Sequence, residues 1–129
     1  MPMSQDDIIK YKNLYLQAAR NYLQNMQLNI SFLLKEEQSE AAIKQVHIDA
    51  HSLKSQGQIM GYKNIAGVSE IIENLFNKTG NEKININKDI LIQIQADLCR
   101  LQDSFTEIEK NGKELDLTEI IAKLEKVRN

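Results

Sequence analysis

The sequence predicts an all-α protein, an antiparallel up-and-down four-helix bundle with an additional C-terminal helix. Pro2 is the only proline among 129 residues, and there are only five glycines, so little of the turn chemistry that β folds need is present. Aromatic residues make up 5% of the chain, fewer than strands favour. Apolar residues recur at alternating spacings of three and four, which places them on one face of a helix.

Five stretches show this spacing, and each predicts one helix. The stripes and the helices that they predict are, in chain order, Leu16 to Leu33 for a helix at about 5–36, Ile43 to Met60 for 40–60, Ile65 to Leu75 for 62–78, Leu91 to Ile108 for 88–111, and Leu117 to Val127 for 118–128. The connecting loops are short except for residues 79–87, so consecutive helices should run antiparallel. We expect one domain over residues 1–129, with its folded core at about 5–128.

Residues typical of helix ends lie between the stripes. Short polar residues that can cap an N-terminus precede three helices, and glycines stand where three helices should end. The expected N-caps are Ser39, Asn87 and Thr118, and the expected terminal glycines are Gly61, Gly80 and Gly112.

Composition excludes several classes of protein. The formal charge of −2 offers no basic excess for nucleic acid or an anionic membrane. The single cysteine, Cys99, excludes an internal disulfide framework and a multi-cysteine zinc site. The polar, acidic start is not a secretory signal, and no apolar stretch approaches the ~20 residues that cross a bilayer. We expect a cytoplasmic protein without a cofactor. We also expect a monomer, because each apolar stripe can be buried within the bundle and no spare apolar face should remain exposed.

The second helix carries a further row of residues beside its apolar stripe. His51 follows the core residue Ala50 by one position, about 100° around the helix, and should lie partly exposed at the bundle edge. A neutral imidazole there is a nucleophile, and the Lys54 ammonium one turn later can pair with a phosphoryl group. The neighbouring Ser55 is small and leaves room for a partner. The row consists of His47, His51, Lys54 and Gln58.

The residues around His51 resemble the histidine-containing phosphotransfer (Hpt) motif, a His-x-Leu-Lys run followed by a glycine ten residues after the histidine. Here these are His51-Ser52-Leu53-Lys54 and Gly61. The chain looks most like the N-terminal phosphotransfer domain of chemotaxis-type histidine kinases, over about residues 10–125. Three further segments support this likeness: Leu14 to Met26, Met60-Gly61-Tyr62 and Glu73-Asn74-Leu75.

The resemblance implies a histidine phosphocarrier in a two-component phosphorelay. His51 would accept the phosphoryl group from a histidine kinase catalytic domain and pass it to the receiver domain of a response regulator. Lys54 would be the neighbouring cation, and Glu73 would hold the other ring nitrogen of His51. His51 lies ten residues before Gly61 and Glu73 twelve after it, so both should lie at similar heights, about 15 Å and 18 Å from the corner.

His47, Ser55 and Gln58 are expected in the docking surface for the receiver. Ser55 stands where the family usually has glycine, and Gln58 where it usually has a small residue, which bears on the shape of that surface. Chemotaxis domains can also carry a second histidine three residues before the glutamate, a position that Glu70 occupies here.

Other functions remain open. The chain could be a free-standing relay protein, a phosphate-accepting domain of a larger kinase, or a helical adaptor in which His51 is incidental. The sequence has no glycine-rich phosphate loop, so we expect a carrier rather than an enzyme. His47 and His51 could also ligate a metal with Glu70 and Glu73. We expect no metal, because Ile48 stands where a zincin would have glutamate, and no Glu-x-x-His pair precedes either histidine.

Overall fold

The computed structural model describes residues 4–36, 38–77 and 82–128, and these form five α-helices without a strand. The predicted all-α class is confirmed. The helix α1 lies beside α2 and α4, α3 packs on α2, and α5 packs on α3, so a four-helix bundle carries a fifth helix. The helices are α1 (Gln5–Leu33), α2 (Glu40–Met60), α3 (Lys63–Leu75), α4 (Lys88–Asn111) and α5 (Thr118–Arg128).

The apolar stripes form one core. Its members come from all five helices and include Leu23, Leu53, Ile72, Leu98 and Leu124, all nearly or fully inaccessible to solvent. Two stripe residues at helix ends, Met60 and Leu75, are only partly buried and pack against the core.

The expectation that no apolar face stays exposed is wrong. Large apolar side chains are exposed on α1, α2 and α4, because the apolar residues of these helices extend beyond the face that the neighbouring helices cover. They are Ile8, Ile9, Tyr11, Leu14, Leu28, Phe32, Ile48, Ile59 and Ile92. The monomeric state that rested on this expectation stays a prediction.

Most helix ends follow the predicted signals. The Ser39 hydroxyl accepts from the N–H of Ala42 at 3.4 Å, and the Asn87 side chain accepts from the N–H of Ile90 at 2.9 Å. Gly61 and Gly112 end α2 and α4 with positive φ angles of 82° and 76°, which glycine adopts without steric cost. Gly80 lies outside the described residues.

One predicted cap and three predicted helix bounds need correction. Thr118 is not the N-cap of α5 but its first residue, because the carbonyl of Leu117 accepts the first helical bond, from Ile121. The Thr118 hydroxyl instead donates to Asp116. The helix α1 ends at Leu33 rather than 36, and α3 covers Lys63–Leu75 rather than 62–78. Residue 78 lies outside the described part.

The corner between α2 and α3 brings the two helices close together. Gly61 turns the chain, and Gly57 lies against the start of α3, where an added Cβ would be in ordinary van der Waals contact, 3.4 Å, with the Ala66 nitrogen and the Tyr62 oxygen. Beyond the corner, α3 lacks a side-chain cap of its own at Tyr62. The N-terminus of α3 is therefore held by another part of the chain.

That part is the segment between α4 and α5. The Glu114 carboxylate accepts from the main-chain N–H groups of Asn64, at 3.0 Å, and Ile65, at 2.9 Å. In return, the Asn64 side chain accepts from the N–H of Leu117 at 3.1 Å. An anion at a helix N-terminus satisfies free N–H groups and interacts favourably with the helix dipole. The 113–117 segment thus fixes where α3 begins.

None of the described helices combines the length and the apolar character that crossing a membrane would need.

The buried Asp97 on α4 should make the stability of the protein depend on pH. Burial raises the pKa of Asp97 to about 6, although Lys123 opposes the shift, and Oδ2 has no hydrogen-bond partner among the described residues. Because the folded pKa exceeds the unfolded one, the contribution of Asp97 to stability is greatest in acid and is lost as the pH rises through about 6.

We therefore expect Asp97→Asn to raise the free energy of unfolding at pH 7.5 by on the order of 1 kcal/mol, with the gain vanishing near pH 4. Urea unfolding at both pH values measures it. Asp103→Asn is the control, since that side chain is exposed and pairs with Arg100 at the surface. An Asp97→Asn variant no more stable than wild type at pH 7.5 would contradict the account.

Candidate functional site

His51 lies on α2, facing the edge between α2 and α3. Its side chain is 58% exposed, and its Nδ1 lies 2.6 Å from Oε2 of Glu73 on α3. Glu73 is itself only 12% exposed. The two residues meet because the antiparallel corner at Gly61 places them at similar heights, as their spacing from the corner predicts.

The Glu73 carboxylate is ionised at neutral pH. Burial acts to raise the pKa of Glu73, but the hydrogen bonds and charges of Lys54 and His51 outweigh burial and hold this pKa below its usual value. An ionised carboxylate only accepts hydrogen bonds, so Nδ1 of His51 must carry the proton. The lone pair of the neutral ring then lies on Nε2, on the exposed side chain.

Lys54 contacts the other oxygen of the same carboxylate. Its Nζ lies 2.6 Å from Oε1 of Glu73, and the Lys54 side chain is partly buried. This ammonium is the only partner of Oε1 within the described residues. The sequence indicated that Lys54 could pair with a phosphoryl group, and the structure adds that in the unmodified protein it neutralises Glu73.

His47 also reaches Glu73, through a different group. Its Nδ1 lies 2.9 Å from the main-chain oxygen of Glu73, and its ring is partly buried. The same ring lines a pocket of about 440 Å³, together with Ile43 and Phe76. This contact with Glu73 was not foreseen. The signal in the sequence was the spacing of four that places His47 on the same face as His51.

The remaining predicted docking residues lie further along α2. Ser55 is half-buried and Gln58 is exposed. Gln58 follows His51 by two helical turns, so both occupy the same face of α2. Gln58 lines a groove of about 380 Å³ between α2 and α3, opposite Lys63, Gly67 and Glu70. The structure thus joins Gln58 and Glu70 in one groove on the face that carries His51.

The described residues contain no group of three or more histidine, cysteine or acidic side chains that could hold a metal ion. The chemistry that the site does offer is nucleophilic. An imidazole with a free Nε2 lone pair, held by a carboxylate at Nδ1, can attack an electrophile while the carboxylate stabilises the developing positive charge.

Comparison with known proteins places the chain in a family. Residues 10–110 match the family described as Hpt domain. The chain is 23% identical over 120 residues to the chemotaxis protein CheA of Bacillus subtilis, covering 92% of this chain and 18% of that protein. It is 21% identical over 114 residues to CheA of Listeria monocytogenes, covering 88% and 18%. The chain therefore spans less than a fifth of the length of these relatives. No solved structure matches it significantly.

The electrostatic account of Glu73 predicts the effect of removing its ammonium partner. In Lys54→Met, burial of the carboxylate persists while the largest opposing interaction is lost, so we expect the pKa of Glu73 to rise above its wild-type value. NMR titration of the Glu73 side-chain carboxyl carbon measures this pKa directly. Lys110→Met on α4, whose lysine is exposed, is the control. An unchanged pKa in Lys54→Met would show that the ammonium does not set the charge of the site.

Proposed function

Because the chain belongs to the family of Hpt domains, we propose that it is a histidine phosphocarrier of two-component signalling. His51 accepts a phosphoryl group and passes it to an aspartate of a response regulator. The observation that carries this proposal is the exposed His51 ring, whose Nδ1 is bound at 2.6 Å by Glu73 so that Nε2 is free to react.

The first step is attack by Nε2 on the γ-phosphorus of ATP bound to a histidine kinase catalytic domain. A bond from Nε2 to phosphorus forms, the bond from phosphorus to the bridging oxygen breaks, and ADP leaves. The ring becomes positively charged while its Nδ1 proton stays hydrogen-bonded to Glu73. A carboxylate placed where this charge develops stabilises the transition state without rearranging.

The second step returns the ring to its starting state. An aspartate carboxylate of a receiver domain attacks the phosphorus, the bond to Nε2 breaks, and the electron pair goes back to the ring. His51 is then neutral again, with its Nδ1 proton unchanged. Lys54 lies one turn from His51, and its ammonium is near enough to the ring to offset phosphoryl charge in both steps.

In this proposal the chain is a substrate and carrier rather than an enzyme. The sequence holds no glycine-rich phosphate loop, so the kinase domain supplies ATP binding, either from a separate protein or from a longer polypeptide. Its partners are thus a kinase catalytic domain and a receiver domain, and we propose no nucleic acid, membrane, metal or cofactor among its ligands. The proposed compartment is the cytoplasm.

We propose that the receiver docks on the α2–α3 face. Gln58 and its groove lie on this face, two helical turns from the exposed His51 ring. Ser55 and His47 lie on α2, each one turn from His51. The exposed Ile48 and Ile59 add apolar area on the same helix. A transient complex of this kind buries an area at the low end of specific interfaces.

The assignment of His51 predicts that His51→Gln takes up no phosphate. The His51 side chain is exposed and contributes little to packing, so the helical circular dichroism spectrum should be unchanged. Incubation with an active histidine kinase and ATP, followed by intact-mass analysis, measures the phosphate. The matched control is His47→Gln, which should still reach full phosphorylation on long incubation. Acid-labile, base-stable phosphate on the His51→Gln protein would refute the assignment.

The docking proposal predicts an effect of bulk and charge in the Gln58 groove. Gln58→Arg should weaken binding of a receiver that accepts phosphate from this chain by about tenfold, because a long cation replaces a short amide beside Lys63. Titration calorimetry measures the affinity, and Gln102→Arg on the exposed side of α4 is the control. Amide shift changes confined to α4 and α5 on adding the receiver would contradict this docking mode.

A further inference from the structure

The helix α3 ends at Leu75, two residues after Glu73, and this leaves the main-chain carbonyl of Glu73 without a helical donor. In a continuing helix the N–H of Asn77 would bind the carbonyl of Glu73. Here that N–H donates to Asn74 at 3.2 Å, while the N–H of Phe76 donates to Ile72. No described main-chain donor reaches the Glu73 oxygen, as is common in the last turn of a helix.

His47 supplies the missing donor from the neighbouring helix. A carbonyl oxygen only accepts hydrogen bonds, so the 2.9 Å contact requires that Nδ1 of His47 carries a proton. This holds for the neutral and the charged ring alike.

We propose that His47 is a positioning residue for the phosphotransfer site, an inference that rests on the proposed function. Its Nδ1–H holds the main chain of Glu73 against α2, and this placement sets the Glu73 carboxylate under the His51 ring. His47 itself does not touch the reacting atoms.

The geometry explains why one bond on the main chain matters. His47 and His51 are four residues apart, so their rings lie on the same face of α2 one turn apart. One contacts the main-chain oxygen of Glu73 at 2.9 Å and the other contacts its carboxylate at 2.6 Å. The helix α3 stops at Leu75, two residues later, so little helix remains beyond Glu73 to keep it in place. Displacement by about 1 Å is enough to lose much of a catalytic effect.

Two substitutions separate the hydrogen bond from the packing of the ring. His47→Leu keeps apolar volume in the half-buried site but has no donor. His47→Asn places an amide N–H close to the position of Nδ1 and so keeps the donor. Each variant is phosphorylated by the same kinase under single-turnover conditions, alone and combined with Glu73→Ala.

We expect His47→Leu to slow phosphorylation of His51 by about tenfold, and His47→Asn to stay within about threefold of wild type. Because His47 acts through Glu73, adding His47→Leu to Glu73→Ala should cause no further loss. A wild-type rate in His47→Leu, equal losses in the Leu and Asn variants, or losses that multiply with Glu73→Ala would each overturn the inference. So would kinase-dependent phosphate on His47 in a His51→Gln background.

A second readout does not depend on phosphorylation. Long-range proton–nitrogen NMR spectra at pH 8 report which nitrogen of the neutral His51 ring carries the proton. We expect Nδ1–H to dominate in wild type and in His47→Asn, and a shift towards Nε2–H in His47→Leu. If no kinase labels the wild-type protein, the proposed function fails while this measurement still decides the positioning role. An unchanged His51 tautomer ratio in His47→Leu would then overturn it.

Discussion

The site depends on one carboxylate, that of Glu73, which contacts two basic side chains. Oε2 of Glu73 binds the His51 ring and Oε1 binds the Lys54 ammonium, each at 2.6 Å. This arrangement requires α2 and α3 to run antiparallel at a fixed height, which the Gly61 turn and the close approach at Gly57 provide. The Glu114 cap, from the segment before α5, adds a constraint at the start of α3. The fifth helix is thus linked to the site through α3.

Charge balance and exposure divide the site into two parts. A nearly buried carboxylate is costly unless it is paired, and removing one partner leaves an uncompensated charge. In the unmodified protein, Lys54 together with His51 meets this requirement and keeps Glu73 ionised. The His51 ring lies at the rim, 58% exposed, where a partner protein can reach Nε2. The nearly buried Glu73 carboxylate therefore fixes the tautomer of His51, and the Nε2 side of the ring stays accessible.

The resemblance to the Hpt motif implied the contact between His51 and Glu73. Periodicity predicted the five helices and the similar heights of these two residues, because burial patterns and distances from a glycine corner are local properties. It could not predict contacts between a side chain and a distant main chain. The hydrogen bond from His47 to the Glu73 carbonyl depends on where α3 ends. The Glu114 cap joins residues that are about fifty positions apart in the sequence. Thr118 does not cap α5, because its hydroxyl donates a hydrogen bond to Asp116, two residues earlier. The exposed Ile48 and Ile59 show that apolar spacing identifies the core residues but does not show how much of each helix surface the neighbouring helices cover.

In the proposed mechanism, Glu73 holds the Nδ1 proton of His51 and so leaves Nε2 as the reacting atom. The most direct test is to phosphorylate protein labelled with ¹⁵N in its histidines and to identify the nitrogen bonded to phosphorus, from the coupling between ³¹P and ¹⁵N at high pH. The account predicts phosphate on Nε2 of His51, with Nδ1 still protonated and bonded to Glu73. Phosphate on Nδ1 would contradict it, because Glu73 occupies that side of the ring.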